Sequence, residues 1–226
     1  MIICLKKTMI KAILFDLDGV IFDTEPLYTR FWGEQCKIYF PEKEGLEQVI
    51  KGQTLTQIYS TLFLGMEDEQ KVITDRLNAF EESMPLAYIA GFPDFIASLR
   101  NVGLKTAIVT SSNNAKMEKV FRAHPELHGW FDAFVTAESC SKSKPAPDCY
   151  LKGAEMLGLK AEECIGFEDS INGLKAVRSA GMRVVGLATS NPREVVAPLA
   201  DVVIDNYENF SVESLRQLFP DAINSR

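Results

Sequence analysis

The chain of 226 residues is poor in histidine, in basic charge and in long apolar runs, and each shortage closes off a class of function. Its only histidines, His124 and His128, lie in the stretch His124-Pro125-Glu126-Leu127-His128-Gly129-Trp130, which reads as a surface loop after a helix. A serine–histidine triad or a histidine metal site would have to draw on these two alone. Lys and Arg number 24 against 31 Asp and Glu, a net charge of -7, the opposite of what a nucleic-acid-binding face needs. If the substrate is anionic, local cations must recruit it. No stretch approaches a membrane span, and Lys6, Lys7 and Lys11 interrupt the early apolar residues before a signal-peptide core forms. The five cysteines, Cys4, Cys36, Cys140, Cys149 and Cys164, are odd in number and lack close paired spacing. Neither a disulfide framework nor a zinc site is expected, and free thiols in a reducing cytoplasm fit. Met9 stands as an alternative start to Met1, since the residues before it belong to no motif.

A hydrophobic content of 46% supports one good core with room for a smaller satellite. Strand patterns fall at Ile10–Phe15, Thr106–Val109, Ala133–Val135, Cys164–Phe167, Val184–Leu187 and Val202–Ile204. From Pro93 onward they alternate with helical patterns at Pro93–Asn101, Ala115–Arg122, Pro147–Leu157, Ile171–Ala180 and Glu194–Leu199. This is the signature of an α/β, doubly wound parallel sheet. Ile171, Leu174, Val177 and Ala180 recur at helical spacing as one apolar face. The stretch from about Glu25 to Gly91 breaks the alternation with several helices in succession, so it reads as an inserted helical domain. Val72, Ile73, Leu77, Phe80 and Met84 fall on one side of a helix there, as a bundle core would. The expected division is a core of residues 1–24 and 92–226 and a helical cap of residues 25–91, with hinges near Thr24–Pro26 and Pro85–Phe92. Such a cover beside a strand-end site would exclude water during chemistry.

Ligands of an open α/β sheet bind beyond the carboxyl ends of its strands. Polar clusters sit at those ends: Asp16-Leu17-Asp18-Gly19 after the first strand, Thr110-Ser111-Ser112 after the second, and Glu168-Asp169-Ser170 after Phe167. Lys144 precedes a helix between flanking residues Ser143 and Pro145. Two carboxylates two residues apart at a buried strand tip imply a metal, a proton-transfer role, or both. Simpler readings stand beside these: Gly19 in a capped turn, Thr110 to Asn113 as a helix cap, Glu168 and Asp169 capping the helix from Ile171, and Lys144 as a solvated charge. Taken together, Asp16, Asp18, Glu168 and Asp169 crowd negative charge that a multivalent cation plus Lys144 would balance, and hard oxygen ligands suit Mg²⁺. A phosphorylated small molecule is then the natural ligand, with Thr110, Ser111 and backbone amides donating to its oxygens. Asp16, nearest the strand, is the candidate nucleophile, and Asp18 the candidate acid and base.

The ordered set Asp16-Leu17-Asp18-Gly19-Val20, Thr110, Lys144-Pro145 and Gly166-Phe167-Glu168-Asp169-Ser170 resembles the haloacid dehalogenase superfamily over nearly the whole chain. More narrowly, Ile21-Phe22-Asp23-Thr24-Glu25-Pro26 and Lys144-Pro145-Ala146-Pro147-Asp148 resemble its β-phosphoglucomutase-like phosphatase group, which has a Rossmann-like core and an inserted helical cap. The resemblance implies Asp16 as nucleophile, Asp18 as acid and base, and Thr110 and Lys144 as phosphate ligands. It implies Asp16, the Asp18 carbonyl and Asp169 around Mg²⁺, with Glu168 as a further metal candidate. Mutases of this group carry a cap Arg where Leu55 stands here and a His where Tyr28 stands, and both departures favour water as acceptor. The expected activity is therefore phosphatase, with a β-phosphoglucomutase-type phosphotransferase as the alternative. A former enzyme serving as a sensor would be expected to have lost Asp16, Asp18, Lys144 or Asp169, and all four are present. Glu25, Lys51, Gln53 and Thr54 are the expected substrate contacts of the cap, the substrate a small sugar or polyol phosphate, the chain a monomer in the cytoplasm.

Overall fold

The computed structural model describes residues 8–220; Cys4, Lys6, Lys7 and the outer ends of the segments 1–24 and 92–226 lie outside them. Six strands form one parallel sheet: β1 (Ala12–Phe15), β2 (Lys105–Val109), β3 (Ala133–Val135), β4 (Cys164–Glu168), β5 (Arg183–Leu187) and β6 (Val202–Ile204), in the order β3-β2-β1-β4-β5-β6. The direction of winding reverses at β1, which pairs with β2 on one side and β4 on the other. That switch point opens a crevice at the strand tips.

Among the described residues eleven α-helices accompany the sheet: α1 (Glu25–Tyr39), α2 (Leu46–Val49), α3 (Leu55–Leu62), α4 (Glu67–Ser83), α5 (Phe92–Asn101), α6 (Asn114–Ala123), α7 (Leu127–Trp130), α8 (Asp148–Met156), α9 (Ile171–Ser179), α10 (Arg193–Val196) and α11 (Val212–Leu218). β1 is apolar throughout because both its faces are covered, and its side chains alternate between two cores. Ile13 and Phe15 pack with Phe92, Phe95, Ile96 and Phe167, while Ala12 and Leu14 pack with Tyr150, Ala154, Leu174 and Val177. Gly166 lets Val177 of α9 lie against the sheet, since a Cβ there would come within 2.6 Å of its methyl groups.

Helices α1–α4 build a third apolar cluster of their own, from Phe31, Trp32, Ile50, Ile58, Phe63, Ile73 and Leu77. The two chain crossings into this insertion are paired: Asp23 N donates to Ala87 O, Ile89 N donates to Ile21 O, and Phe22 stacks on Tyr88.

Several expectations change in detail. Val72 is exposed, so the inward stripe of α4 starts at Ile73, and Ile171 is exposed while Leu174, Val177 and Ala180 of its helix are buried. Residues 127–130 form a turn of helix rather than a loop, and α11 had no counterpart in the patterns read above. β4 runs one residue past Phe167, so Glu168 belongs to the strand and is fully buried.

Because Ile73 is wholly buried and Val72 is exposed, Ile73→Ala is expected to cost about 2–5 kcal/mol in urea unfolding. Val72→Ala should stay within about 0.5 kcal/mol of the parent protein.

Candidate active site

Asp16 extends directly from β1, and its N–H donates to Phe167 O, so the strand ladder itself fixes the position of its carboxylate. The pairing of Phe15 with Phe167 sets Asp16 beside Glu168 across the β1–β4 seam. Lys144, on the segment between β3 and α8, is 2% exposed and fills the space between them. Its ammonium donates to Asp16 Oδ1 at 2.7 Å, to Glu168 Oε1 at 2.5 Å and to Val109 O at 3.0 Å. Lys144 is thus a buried ion-pair centre and not a solvated charge. Glu168 is saturated: Oε1 also accepts from Tyr150 Oη at 3.0 Å, while Oε2 accepts from Asp169 N, Ser170 N and Ser170 Oγ.

Asp169 lies on the same side, and Asp16, Glu168 and Asp169 each offer an oxygen within 4.8 Å of the others. Ser190 Oγ donates to Asp169 Oδ2, and Asn191 Nδ2 donates to Asp169 O at 3.0 Å. Asp169 Oδ1 is buried with no hydrogen-bond partner among the described residues. Burial pushes the Asp16 carboxyl up to about 7 against the pull of Lys144, and Glu168 adds to the rise. Burial, then the charges of Glu25, Glu168 and Asp16, holds Asp169 well above the carboxylate range. An orphaned buried oxygen amid carboxylates raised by burial, and further by their own crowding, fits a hard divalent cation.

Asp18 sits in a different environment. Burial alone would raise it, but Lys116 Nζ at 2.5 Å, Thr24 Oγ1 at 2.6 Å and Ser112 Oγ at 3.2 Å bring it below its ordinary value. Gly19 follows at φ +74, and a side chain there would strike Ser190 and Asp169, so the turn between Asp18 and Asp169 has room for glycine alone.

A cleft of about 710 Å³ opens over these residues, walled by the sheet tips below and by α1, α3, α4 and the α2–α3 connection above. Asp16, Asp18, Thr110, Ser111, Lys144 and Asp169 line it, as do Glu25, Lys51, Gln53 and Thr54. Glu168 stays behind this lining. Thr110 Oγ1 accepts from Ser112 N at 3.0 Å, leaving its own hydrogen to donate. Burial, then the charge of Asp18, raises the Glu25 carboxyl to about 7. Lys51 Nζ donates to Ser190 O at 2.9 Å, and Gln53 Nε2 to Val49 O at 3.0 Å. The Thr54 hydroxyl is occupied as the N-cap of α3, accepting from Gln57 N at 3.3 Å.

The helix-cap readings resolve into single residues: Asn113 caps α6 and Ser170 caps α9, while neither Glu168 nor Asp169 does. Neither histidine enters the cleft. His124 is half-buried at the crossing, with Nε2 2.9 Å from Leu86 O and its ring against Phe22 and Tyr88, and His128 is exposed.

Sequence reasoning missed Lys116, Ser190 and Tyr150, and it named Ser112 only in the strand-end cluster and Thr24 only at the hinge, without a contact to Asp18. A signal for Lys116 existed, because it lies three residues past the cap Asn113 and a long helical side chain leans back toward its own N-terminus.

A parallel sheet with an acidic strand tip, a buried lysine and a helical cover at the switch point defines an α/β protein with its cleft at the strand tips. Residues 10–181 match the haloacid dehalogenase-like hydrolase family, and the chain belongs to it as an enzyme. It is 30% identical over 222 residues to β-phosphoglucomutase of Bacillus subtilis, covering 92% of this chain and 94% of that protein. It is 32% identical over 184 residues to hexitol phosphatase A of Escherichia coli, covering 78% and 82%. CbbY from Rhodobacter sphaeroides, solved in complex with xylulose-(1,5)bisphosphate, superposes with a TM-score of 0.73 at 26% identity, over 92% of this chain and 99% of that one. No helix among the described residues is long and apolar enough to cross a membrane.

Gly173 of α9 faces Glu168 so closely that a Cβ would overlap its carboxyl group. Gly173→Ala is expected to lower stability by about 1–3 kcal/mol in urea unfolding through this overpacking.

Proposed function

We propose that the protein is a magnesium-dependent phosphatase of small phosphorylated sugars or polyols that carries the phosphoryl group transiently on Asp16. The observation that supports this best is the Asp16 carboxylate at the tip of β1, facing the cleft, hydrogen-bonded to Lys144 and within 4.8 Å of Asp169.

In the first half of the reaction an Asp16 oxygen bonds to phosphorus as the bond to the ester oxygen breaks, and the departing alkoxide takes a proton from Asp18. In the second half Asp18 takes a proton from water, whose oxygen bonds to phosphorus as the Asp16 bond breaks. The three donors on Asp18 favour its carboxylate, the form the second half requires, and in the first half Asp18 would carry the proton it took from water in the preceding cycle, with its pairing to Lys116 broken. Thr110 and Ser111 donate to the phosphoryl oxygens, and Lys144 offsets their charge beside Asp16. Asp16, Asp169 and the Asp18 carbonyl are the candidate ligands of the ion, which when bound would screen the repulsion between carboxylate and phosphate. Glu168, with five donors already on it, anchors Lys144 and the Asp169 turn behind them.

The far end of the cleft favours a neutral, hydroxylated leaving group. No Arg is among its described lining residues, Leu55 occupies the wall where a second phosphate would need a cation, and Lys51 and Lys116 are already partnered. Gln53 Oε1 is buried without a hydrogen-bond partner among the described residues, an acceptor that a substrate hydroxyl would satisfy. Relatives named as hexitol phosphatases and a phosphorylated carbohydrates phosphatase support that class. The chain should act as a monomer, since its own insertion closes its cleft.

Purified protein with Mg²⁺ should release phosphate from p-nitrophenyl phosphate and from a panel of hexose and hexitol monophosphates, and EDTA should stop it. Asp16→Asn should lower that rate by about a thousandfold or more. Retention of wild-type turnover by Asp16→Asn would remove the nucleophile assignment. Phosphate release should also outpace isomerisation of β-glucose phosphates; the reverse order would make the protein a mutase.

A further inference from the structure

Gln57 occupies the third position of α3 and uses both ends of its side-chain amide. Oε1 accepts from Thr54 N at 2.8 Å and from Thr54 Oγ1 at 3.2 Å, completing the capping box that starts the helix. Because a backbone N–H can only donate, that contact orients the amide with Oε1 toward Thr54 and Nε2 away from it. Nε2 then donates to Lys144 O at 3.1 Å, 87 residues along the chain and on the opposite wall of the cleft. A carbonyl can only accept, so the two partners demand a group that accepts at one end and donates at the other.

The same wall makes two more approaches to the core. Lys51 Nζ donates to Ser190 O at 2.9 Å, and Gly52 lies so near Ser170 that a Cβ would come within 2.6 Å of its side chain. These touch the segments holding Asp169, whereas the Gln57 bond touches the residue whose ammonium pairs with Asp16 and Glu168.

We propose that Gln57 is a positioning residue that latches the helical insertion over the cleft, with the backbone carbonyl of Lys144 as the catch. It does not touch the reacting atoms. Its donor fixes the closed arrangement and the backbone of Lys144 together, while its acceptor keeps α3 wound at the point from which it reaches. The proposal rests on the phosphatase reading only for its kinetic arm; the contact itself is independent of substrate.

Gln57→Glu separates the two roles, because a carboxylate still accepts from Thr54 but meets the Lys144 carbonyl with a second acceptor. At pH 8, where a glutamate is ionised, this variant should unfold at a higher urea midpoint than Gln57→Ala because it keeps the α3 cap, while amide hydrogen exchange quickens at residues 50–57 and 140–147. KM for the best monophosphate of the panel should rise about tenfold, as the loss of one partly buried hydrogen bond implies, with kcat within about twofold. Gln57→Ala, which loses both contacts, should show the same faster exchange together with a lower midpoint. Unchanged exchange at residues 140–147 in both variants overturns the latch. Faster exchange in a protein that turns over no phosphomonoester would keep the latch and reject the phosphatase reading instead.

Discussion

The ammonium of Lys144, held between Asp16 and Glu168 with 2% of the residue exposed, is the interaction on which the site depends. Removing such charges from water costs several kcal/mol each, and only close geometry with every lone pair engaged offsets it. The fold supplies that geometry from three directions. The β1–β4 register sets the two carboxylates side by side, Tyr150 and the Asp169–Ser170 amides complete the shell of Glu168, and Val109 O takes a further ammonium proton. Burial works against the ammonium, yet the neighbouring Asp16 and Glu168 keep Lys144 charged, above the ordinary lysine range.

One ammonium facing three carboxylates leaves the pocket short of positive charge. Burial first, and then the neighbouring carboxylates, raise Asp16 and Asp169, and Asp169 Oδ1 has no partner among the described residues. Asp18, two residues from Asp16, escapes the shortage through Lys116 from α6. The two aspartates of one motif therefore differ through their neighbours. One is a strand-tip carboxylate in a crowded, dry site, and the other is an ion-paired carboxylate tied to the crossing by Thr24. That division suits a nucleophile and a proton carrier better than two equivalent groups would.

The sheet was legible because buried parallel strands read as short apolar runs, and the motif residues fell at their tips for the same reason. Asp16, Asp18, Thr110 and Asp169 meet because they follow strand tips, and Lys144 joins them from the long β3–α8 connection at the same edge of the sheet. Glu168 was harder to place, since whether the strand stops at Phe167 or one residue later decides between facing the cleft and lying behind it. Ser190 carried no motif, and the helix-cap spacings of Lys116 and Gln57 gave no hint of the partners they reach across separate elements. Among the cap residues, Thr54 looked like a substrate contact from its place in the loop, but Ser and Thr at such positions also cap helices, and here the hydroxyl serves α3.

The insertion adds a cover and, among the described lining residues, one cation that is already engaged. Its cleft-facing residues bring Glu25, Glu47 and Glu81 against the single ammonium of Lys51, which is spent on Ser190 O. Tyr28 lays its ring 4.6 Å from the Lys116 ammonium and gives its hydroxyl hydrogen to Glu81, so it closes over the Asp18 ion pair and offers no positive charge to a ligand. Under the proposed phosphatase reading, phosphate recognition would rest with the sheet tips, and recognition of the remainder of the substrate with acceptors on the helices. A second phosphate on that remainder would meet carboxylates, while hydroxyl groups would meet partners. The same fold that gathers carboxylates at the strand tips thus also sets carboxylates along the far wall of the cleft.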